Sequence, residues 1–141
     1  MKKVAIVYWS GTGNTEAMAL AVAEGVRGSG GEAVVLQSAD FDAGRLPEFD
    51  AIAFGCPAMG AETLEEDEFQ PMFDGLTAGL SGKPIALFGS YGWGDGEWMR
   101  DWEQTCRNSG ADLVTESVIC QEAPDSEAEA ACKALGTALT Q

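Results

Sequence analysis

The sequence predicts an α/β fold in which a doubly wound parallel sheet of five strands carries helices on both faces. Short apolar runs alternate with segments of helical period five times along the chain, the pattern of strand–helix units in an open parallel sheet. The apolar runs are continuous, as expected for strands buried on both faces. The 141 residues contain no long linker, so we expect residues 1–141 to form a single domain.

Each element can be placed on the chain. The apolar runs that predict strands lie at residues 4–9, 33–36, 51–56, 84–89 and 113–120. The helical stripes consist of Met18, Val22 and Val26; Phe69, Met72, Phe73, Leu76 and Leu80; Trp98, Met99, Trp102 and Cys106; and Ala128, Cys132, Leu135 and Leu139. We expect Trp98 and Trp102 to pack in the core, because they lie on such a stripe.

The charge balance limits the partners. Asp and Glu number 23 against 8 Lys and Arg, which gives a formal charge of −15. This negative charge repels nucleic acid and anionic membranes. The acidic surface therefore either attracts basic docking partners or is simply solvated, with no specific partner. Five of the seven residues in 62–68 are acidic, so we expect this stretch to be solvated. With no leader and no apolar stretch of ~20 residues, we expect a cytoplasmic protein.

The sequence gives little support for a nucleophilic active site or for a metal site. The chain has no His, so a Ser–His or Cys–His catalytic pair cannot be built. The four cysteines, at positions 56, 106, 120 and 132, form no CxxC pair and no metal-ligand cluster. We expect them to be buried, reduced thiols.

The segment Ser10-Gly11-Thr12-Gly13-Asn14-Thr15 connects the first strand to its helix. Its glycines let backbone N–H groups approach a ligand, and the helix N-terminus behind them carries about +0.5 charge, which suits a phosphate. A Walker A loop would need Lys where Asn14 stands, and a dinucleotide fingerprint would need Gly or Ala where Glu16 stands. A plain helix-capping turn remains the alternative.

Two further loops are expected at the same edge of the sheet. Residues 57–62 and 90–96 follow the third and fourth strands, and ligands of such sheets bind beyond the carboxyl ends of the strands. Trp93 lies between two glycines and could stack on a flat ring, with Met59 as a polarizable surface on its other side.

Together these motifs resemble the flavodoxin family, short-chain clostridial-type branch. Residues 10–15 resemble its FMN phosphate loop, and residues 55–60 and 88–96 resemble its two isoalloxazine loops. The resemblance implies the flavodoxin-like strand order 2-1-3-4-5 and a low-potential electron carrier, not an enzyme, with non-covalently bound FMN. The implied FMN-binding residues are Ser10, Gly11, Thr12, Gly13, Asn14, Thr15, Pro57, Ala58, Met59, Gly60, Ala61, Glu62, Ser90, Tyr91, Gly92, Trp93, Gly94 and Asp95.

The resemblance also implies roles. Glu62 accepts a hydrogen bond from the flavin N3–H, and the Gly60–Ala61 peptide turns its carbonyl toward N5 of the neutral semiquinone. The implied partners are redox proteins, both reductases and low-potential oxidoreductases, docked through the acidic stretch 62–68 of a monomer. A small FMN-dependent quinone or nitro reductase is the alternative function. A response-regulator receiver domain would need Asp at the end of the third strand, where Cys56 and Pro57 stand.

Overall fold

The computed structural model describes residues 2–59, 63–92 and 94–141. Its strands are β1 (Lys3–Tyr8), β2 (Glu32–Gln37), β3 (Ala51–Gly55), β4 (Pro84–Tyr91), β5 (Asp112–Leu113) and β6 (Val118–Gln121). The named strands pair in parallel in the order β2-β1-β3-β4-β5, and β6 also pairs with β4. The predicted parallel sheet and its order 2-1-3-4-5 are therefore confirmed.

The fifth strand is interrupted, where the apolar run 113–120 had predicted one strand. Pro84 and Ile85 of β4 pair with β5, and Phe88–Tyr91 pair with β6. Residues 114–117 therefore lie opposite only residues 86 and 87, so the edge must bulge outward. Three of the four residues 114–117 are polar, and Ser117 Oγ donates a hydrogen bond of 2.7 Å to Glu103 Oε2.

Four helices flank the sheet: α1 (Asn14–Gly28), α2 (Phe69–Asp74), α3 (Glu97–Asn108) and α4 (Ser126–Ala138). The stripe 69–80 predicted one longer helix, but α2 ends at Asp74 and a 3₁₀ turn, Thr77–Gly79, follows. The bonds from Leu76 N–H to Phe73 O and from Gly79 N–H to Leu76 O tighten the chain there. The stripe still faces the core, since Phe69, Phe73, Leu76 and Leu80 are fully buried and Met72 is partly buried.

The two faces of the sheet pack differently. Helices α2 and α3 cover a core rich in aromatic rings, which includes the buried Trp98 and Trp102 as predicted. Helices α1 and α4 cover a core of smaller aliphatic side chains. These two helices lie in close contact because Gly25 and Gly136 lack a Cβ that would otherwise meet Lys133 O and Val22 O.

The cysteines are free, and Cys56, Cys106 and Cys132 are buried as expected, whereas Cys120 is partly exposed. Burial raises the pKa of each of the three buried thiols to about 12, so they are protonated at neutral pH. Within the described ranges, every helix is too short or too polar to cross a membrane.

Candidate functional site

The three singled-out loops meet at the carboxyl edge of the sheet. They surround a cleft of about 210 Å³, which lies above β1, β3 and β4. Its walls are formed by Trp9, Gly11, Thr12, Asn14, Pro57, Ala58, Met59, Ser90, Tyr91, Gly92 and Glu122. The sequence had therefore correctly predicted that these loops share one edge.

The phosphate loop is shaped by contacts within itself. Gly13 adopts φ +95°, the left-handed region that favours glycine, and its N–H donates a 3.0 Å hydrogen bond to Ser10 Oγ. Helix α1 begins at the next residue and has no side-chain cap. Its first N–H groups and the positive end of its dipole are therefore open to an anionic group.

Thr15 supplies the most informative atom of this loop. The residue is only 1% exposed, and its Oγ1 is buried without a hydrogen-bond partner. A buried hydroxyl in this state costs free energy that a ligand oxygen would recover. The hydroxyl thus fits a loop that holds an anion through N–H and O–H groups. No Lys or Arg lines the cleft in the described parts of the chain.

A second cavity, of about 290 Å³, lies beside the same loop toward the end of β2. Its walls include Tyr8, Glu16 and Glu68 together with Ser10, Gly11 and Gly13. Tyr8 Oη donates a 2.8 Å hydrogen bond to Glu16 Oε2. Burial and this acidic neighbour raise the pKa of Tyr8 above 10, so the phenol stays neutral.

The loop after β3 is fastened to β4 and folds back on itself. Ala58 N–H donates to Ser90 O at 3.0 Å. Met59 and Thr63 exchange two backbone hydrogen bonds, of 2.8 and 3.0 Å, across an antiparallel bridge. Pro57 and Ala58 are half-buried, whereas Met59 is 36% exposed, so its side chain offers apolar surface that a flat ligand could cover.

The end of β4 and the loop after it close the cleft from the other side, and Ser90 and Tyr91 belong to the strand, not to the predicted loop 90–96. Ser90 is buried, and its Oγ donates to Glu122 O at 2.7 Å, while Tyr91 packs on Trp98 with ring centroids 5.6 Å apart. Gly92 is exposed. Further along the loop, Gly94 and Gly96 have positive φ, and an exposed ion pair of 2.9 Å joins Asp95 to Arg100.

Four predicted site residues, Gly60, Ala61, Glu62 and Trp93, lie outside the described residues. Of the remaining fourteen, those that line this cleft are Gly11, Thr12, Asn14, Pro57, Ala58, Met59, Ser90, Tyr91 and Gly92. Ser10 and Gly13 line the second cavity. Thr15 lies buried behind the loop, and Gly94 and Asp95 lie beyond the cleft lining.

Sequence reasoning missed two lining residues. Trp9 immediately follows β1, lines both cavities and donates from Nε1 to Glu68 Oε2 at 2.8 Å. Its position directly before the glycine loop is a signal that could have identified it. Glu122 lines the cleft with φ +60°, and its N–H donates to Tyr91 O. Nothing in the local sequence indicates that conformation for a Glu.

The prediction that residues 62–68 are solvated is wrong for Leu64 and Glu65, which are only 7% and 6% exposed. Glu65 is the charged one of the two. Its carboxylate accepts hydrogen bonds from the backbone N–H groups of Asp67, Glu68 and Phe69, at 2.9, 2.7 and 2.8 Å. Burial alone would raise the pKa of Glu65, but the three donors outweigh it and hold the pKa below the ordinary 4.5. Glu66, Asp67 and Glu68 are exposed, as expected.

The arrangement fits a ligand with an anionic group at one end and a flat apolar body at the other. The first would lie at the uncapped start of α1, and the second between the loops that carry Met59 and Tyr91. Among the described residues, His, Cys, Asp and Glu form no cluster able to hold a metal ion. The chemistry of the donors is therefore that of a phosphorylated aromatic cofactor.

Comparisons with known proteins agree with this chemistry. The family model described as Flavodoxin matches residues 6–135. The chain is 47% identical over 131 residues to a flavodoxin of Clostridium beijerinckii, covering 93% of this chain and 94% of that one. It is 44% identical over 135 residues to a flavodoxin of Megasphaera elsdenii, covering 96% of each. The solution structure of two-electron reduced Megasphaera elsdenii flavodoxin superposes with a TM-score of 0.89 at 45% identity, covering 96% of this chain and 97% of that one.

Proposed function

The chain belongs to the flavodoxin family and is an FMN-dependent electron carrier; on that premise, we propose how its own residues hold FMN and admit its partners. The observation that carries the proposal is the convergence of three loops on one cleft, together with the buried, unpartnered Thr15 Oγ1 at the end of the first of these loops. Bound FMN supplies the redox chemistry, accepting and releasing electrons singly or in pairs. The protein's own residues bind the phosphate and the ring of the cofactor.

The phosphate is held by residues 10–15. The backbone N–H groups of Gly11, Thr12, Asn14 and Thr15 and the hydroxyls of Ser10, Thr12 and Thr15 donate hydrogen bonds, and Asn14 adds its side-chain amide. Support comes from the left-handed Gly13, which leaves the start of α1 uncapped. Pro57 has no hydroxyl to contribute, so this loop carries the phosphate without help from the next one.

The ring is held by the other two loops. Pro57, Ala58 and Met59 form one wall, and Ser90, Tyr91 and Gly92 the other, with Gly94 and Asp95 completing that loop. The remaining predicted contacts are Gly60, Ala61, Glu62 and Trp93. Met59 is exposed on the rim of the cleft, so a ring bound against it would keep an edge near the surface, as electron transfer between proteins needs.

Binding of the cofactor has a direct test. Purified protein reconstituted with FMN should be yellow and should take up electrons in two separate steps during an anaerobic reductive titration. A colourless protein that takes up no FMN would contradict the proposal. Turnover of a quinone or nitro compound without a protein partner would favour the reductase function, which the flavodoxin relatives do not support.

The partners are redox proteins, and we propose that the described acidic residues 66–68 attract basic patches on them. These carboxylates are exposed, and Glu68 lines the second cavity, beside the phosphate loop. Opposite charges at such a rim raise the association rate more than the affinity. The carrier is proposed to work as a one-domain cytoplasmic monomer, a location in which its four free thiols stay reduced.

The docking proposal predicts a rate effect that depends on position and not only on total charge. The variant Glu66→Gln with Asp67→Asn should reduce cytochrome c, used as a basic acceptor, about threefold to tenfold more slowly at low ionic strength. The difference should vanish as salt screens the charges. The control variant Glu32→Gln with Asp112→Asn also removes two negative charges, but at the amino ends of β2 and β5, away from the cleft. It should keep the wild-type rate. Equal rates for both double variants would contradict docking at residues 66–68.

A further inference from the structure

Glu65 is the one charged side chain that is buried in the described part of the chain. It lies in the stretch that joins the loop after β3 to helix α2, not on a ligand-binding surface. A buried carboxylate is costly, and this one is compensated by three backbone N–H groups from Asp67 to Phe69. These N–H groups lie at the start of α2 and have no partner within the helix, so the carboxylate anchors residue 65 to that helix.

The backbone of Glu65 is tied to the end of β3. Its N–H donates to Cys56 Sγ at 3.3 Å, and Cys56 is fully buried. Trp98 Nε1 donates to Cys56 O at 3.1 Å, which fixes Cys56 against α3. Cys56 and Glu65 therefore bring together the two ends of the loop 57–64, and the Met59–Thr63 bridge lies inside that closure.

The same carboxylate also orients Glu68. Glu68 donates its N–H to Glu65 Oε1 and accepts the Trp9 indole N–H at its own Oε2. Trp9 in turn lies against the phosphate loop, where a Cβ on Gly11 would stand only 3.1 Å from the Trp9 ring. One buried group thus connects the end of the loop after β3 with the wall of the phosphate site.

We propose that Glu65 is a positioning residue of the redox site: its buried carboxylate fixes the described ends of the loop after β3, residues 57–59 and 63–64, and thereby sets the first one-electron potential of bound FMN. The inference rests on the proposed function, in which this loop holds the flavin ring. A loop whose ends are fixed loses little entropy when it makes a contact that only the reduced cofactor needs. A loop whose ends are loosened loses more entropy on making that contact. Reduction of the cofactor then becomes less favourable, and the first potential falls.

Three variants of the full-length holoprotein test this. Glu65→Asp keeps the charge and shortens its reach, so any change must come from position. Glu65→Gln removes the charge, which alone would raise the potential. Both variants should lower the first one-electron potential of bound FMN by ~59 mV. This shift corresponds to a change of about tenfold in the ratio of the protein's affinities for one-electron reduced and oxidised FMN. Asp50→Asn is the matched control, since Asp50 Oδ2 accepts the Lys3 N–H at 2.8 Å at the opposite edge of the sheet.

Amide hydrogen exchange of the apoprotein gives a readout that needs no cofactor. The N–H groups of Met59 and Thr63, each of which donates to the carbonyl oxygen of the other residue, should exchange about tenfold faster in both Glu65 variants and at the wild-type rate in Asp50→Asn. If neither Glu65 variant folds, Cys56→Ala removes the sulfur acceptor alone and should give the same changes in smaller degree.

An unchanged or raised first potential in Glu65→Asp, or unchanged exchange at Met59 and Thr63, would overturn the proposal. For Cys56→Ala as the fallback, wild-type exchange and potential would overturn it equally. Failure of the proposed function would look different, because the wild-type protein itself would then take up no FMN.

Discussion

The two sides of the cleft are assembled by opposite means. The phosphate loop is held by neighbours in sequence, with Ser10 bonded to Gly13 and α1 starting one residue later. The loop after β3 is held by residues far along the chain, such as Ser90, which accepts the Ala58 N–H. The first side is a preformed anchor, and the second depends on the packing of the whole sheet. Variants should therefore separate affinity for the phosphate from the properties of the ring site.

The largest separation is expected for Thr15→Val. The change removes a buried hydroxyl and keeps the shape, so FMN should bind about tenfold to a hundredfold more weakly, the value of a hydrogen bond to a charged group. Riboflavin, which lacks the phosphate, should bind as it does to the wild type. Fluorescence titration of the apoprotein with both flavins measures this.

The same variant makes a second, opposite prediction for the unliganded protein. Because Thr15 Oγ1 has no partner, its removal should leave the urea midpoint of the apoprotein unchanged or slightly higher. Weaker binding of riboflavin, or a clearly lower midpoint, would show that Thr15 acts through the fold and not through the phosphate.

A smaller effect is expected for Trp9→Phe, which tests whether the two sides communicate. The variant keeps an aromatic ring beside Gly11 and loses the indole N–H that binds Glu68. Because that bond connects the sides, FMN and riboflavin should both bind about threefold to tenfold more weakly. A loss confined to FMN would place Trp9 with the phosphate loop alone.

The smallest effect concerns pH. The pKa of Glu65 is lower in the folded protein than its ordinary 4.5, so the folded state gains stability above that value and loses it as pH falls through the folded pKa. Glu65→Gln lacks this titration, and its apoprotein should lose less stability than the wild type between neutral pH and about pH 3. Urea unfolding at each pH measures the slope. Glu32→Gln, at an exposed carboxylate, should retain a steeper acid slope than Glu65→Gln.

The local side of the molecule was predictable and the long-range side was not. Residues 10–15 carry their own glycines and hydroxyls, so their conformation and their place before α1 follow from nearby sequence. The continuous apolar runs likewise predicted the parallel strands, because burial on both faces leaves that pattern. The burial of Glu65 escaped prediction, since the three N–H groups and the Cys56 sulfur that stabilise it are visible only once the chain has folded.

Two errors have the same origin. The apolar period of residues 69–80 correctly identified a buried stripe, but 3₁₀ turns preserve such a stripe nearly as well as an α-helix does. The run 113–120 correctly identified a sheet edge, but apolar character does not reveal that four residues there lie opposite two on β4. Hydrophobic pattern reports which side is buried, while hydrogen-bond partners decide where an element ends.

The interrupted edge has a consequence for the protein at high concentration. An unbroken edge strand offers a row of backbone groups to which a strand of another molecule can add, and so begins aggregation. Here the outer edge is divided into strands of two and four residues, with residues 114–117 bulging between them. At this edge the strands are too short to act as a template for another copy, which leaves the six-residue β2 as the longer of the two sheet edges.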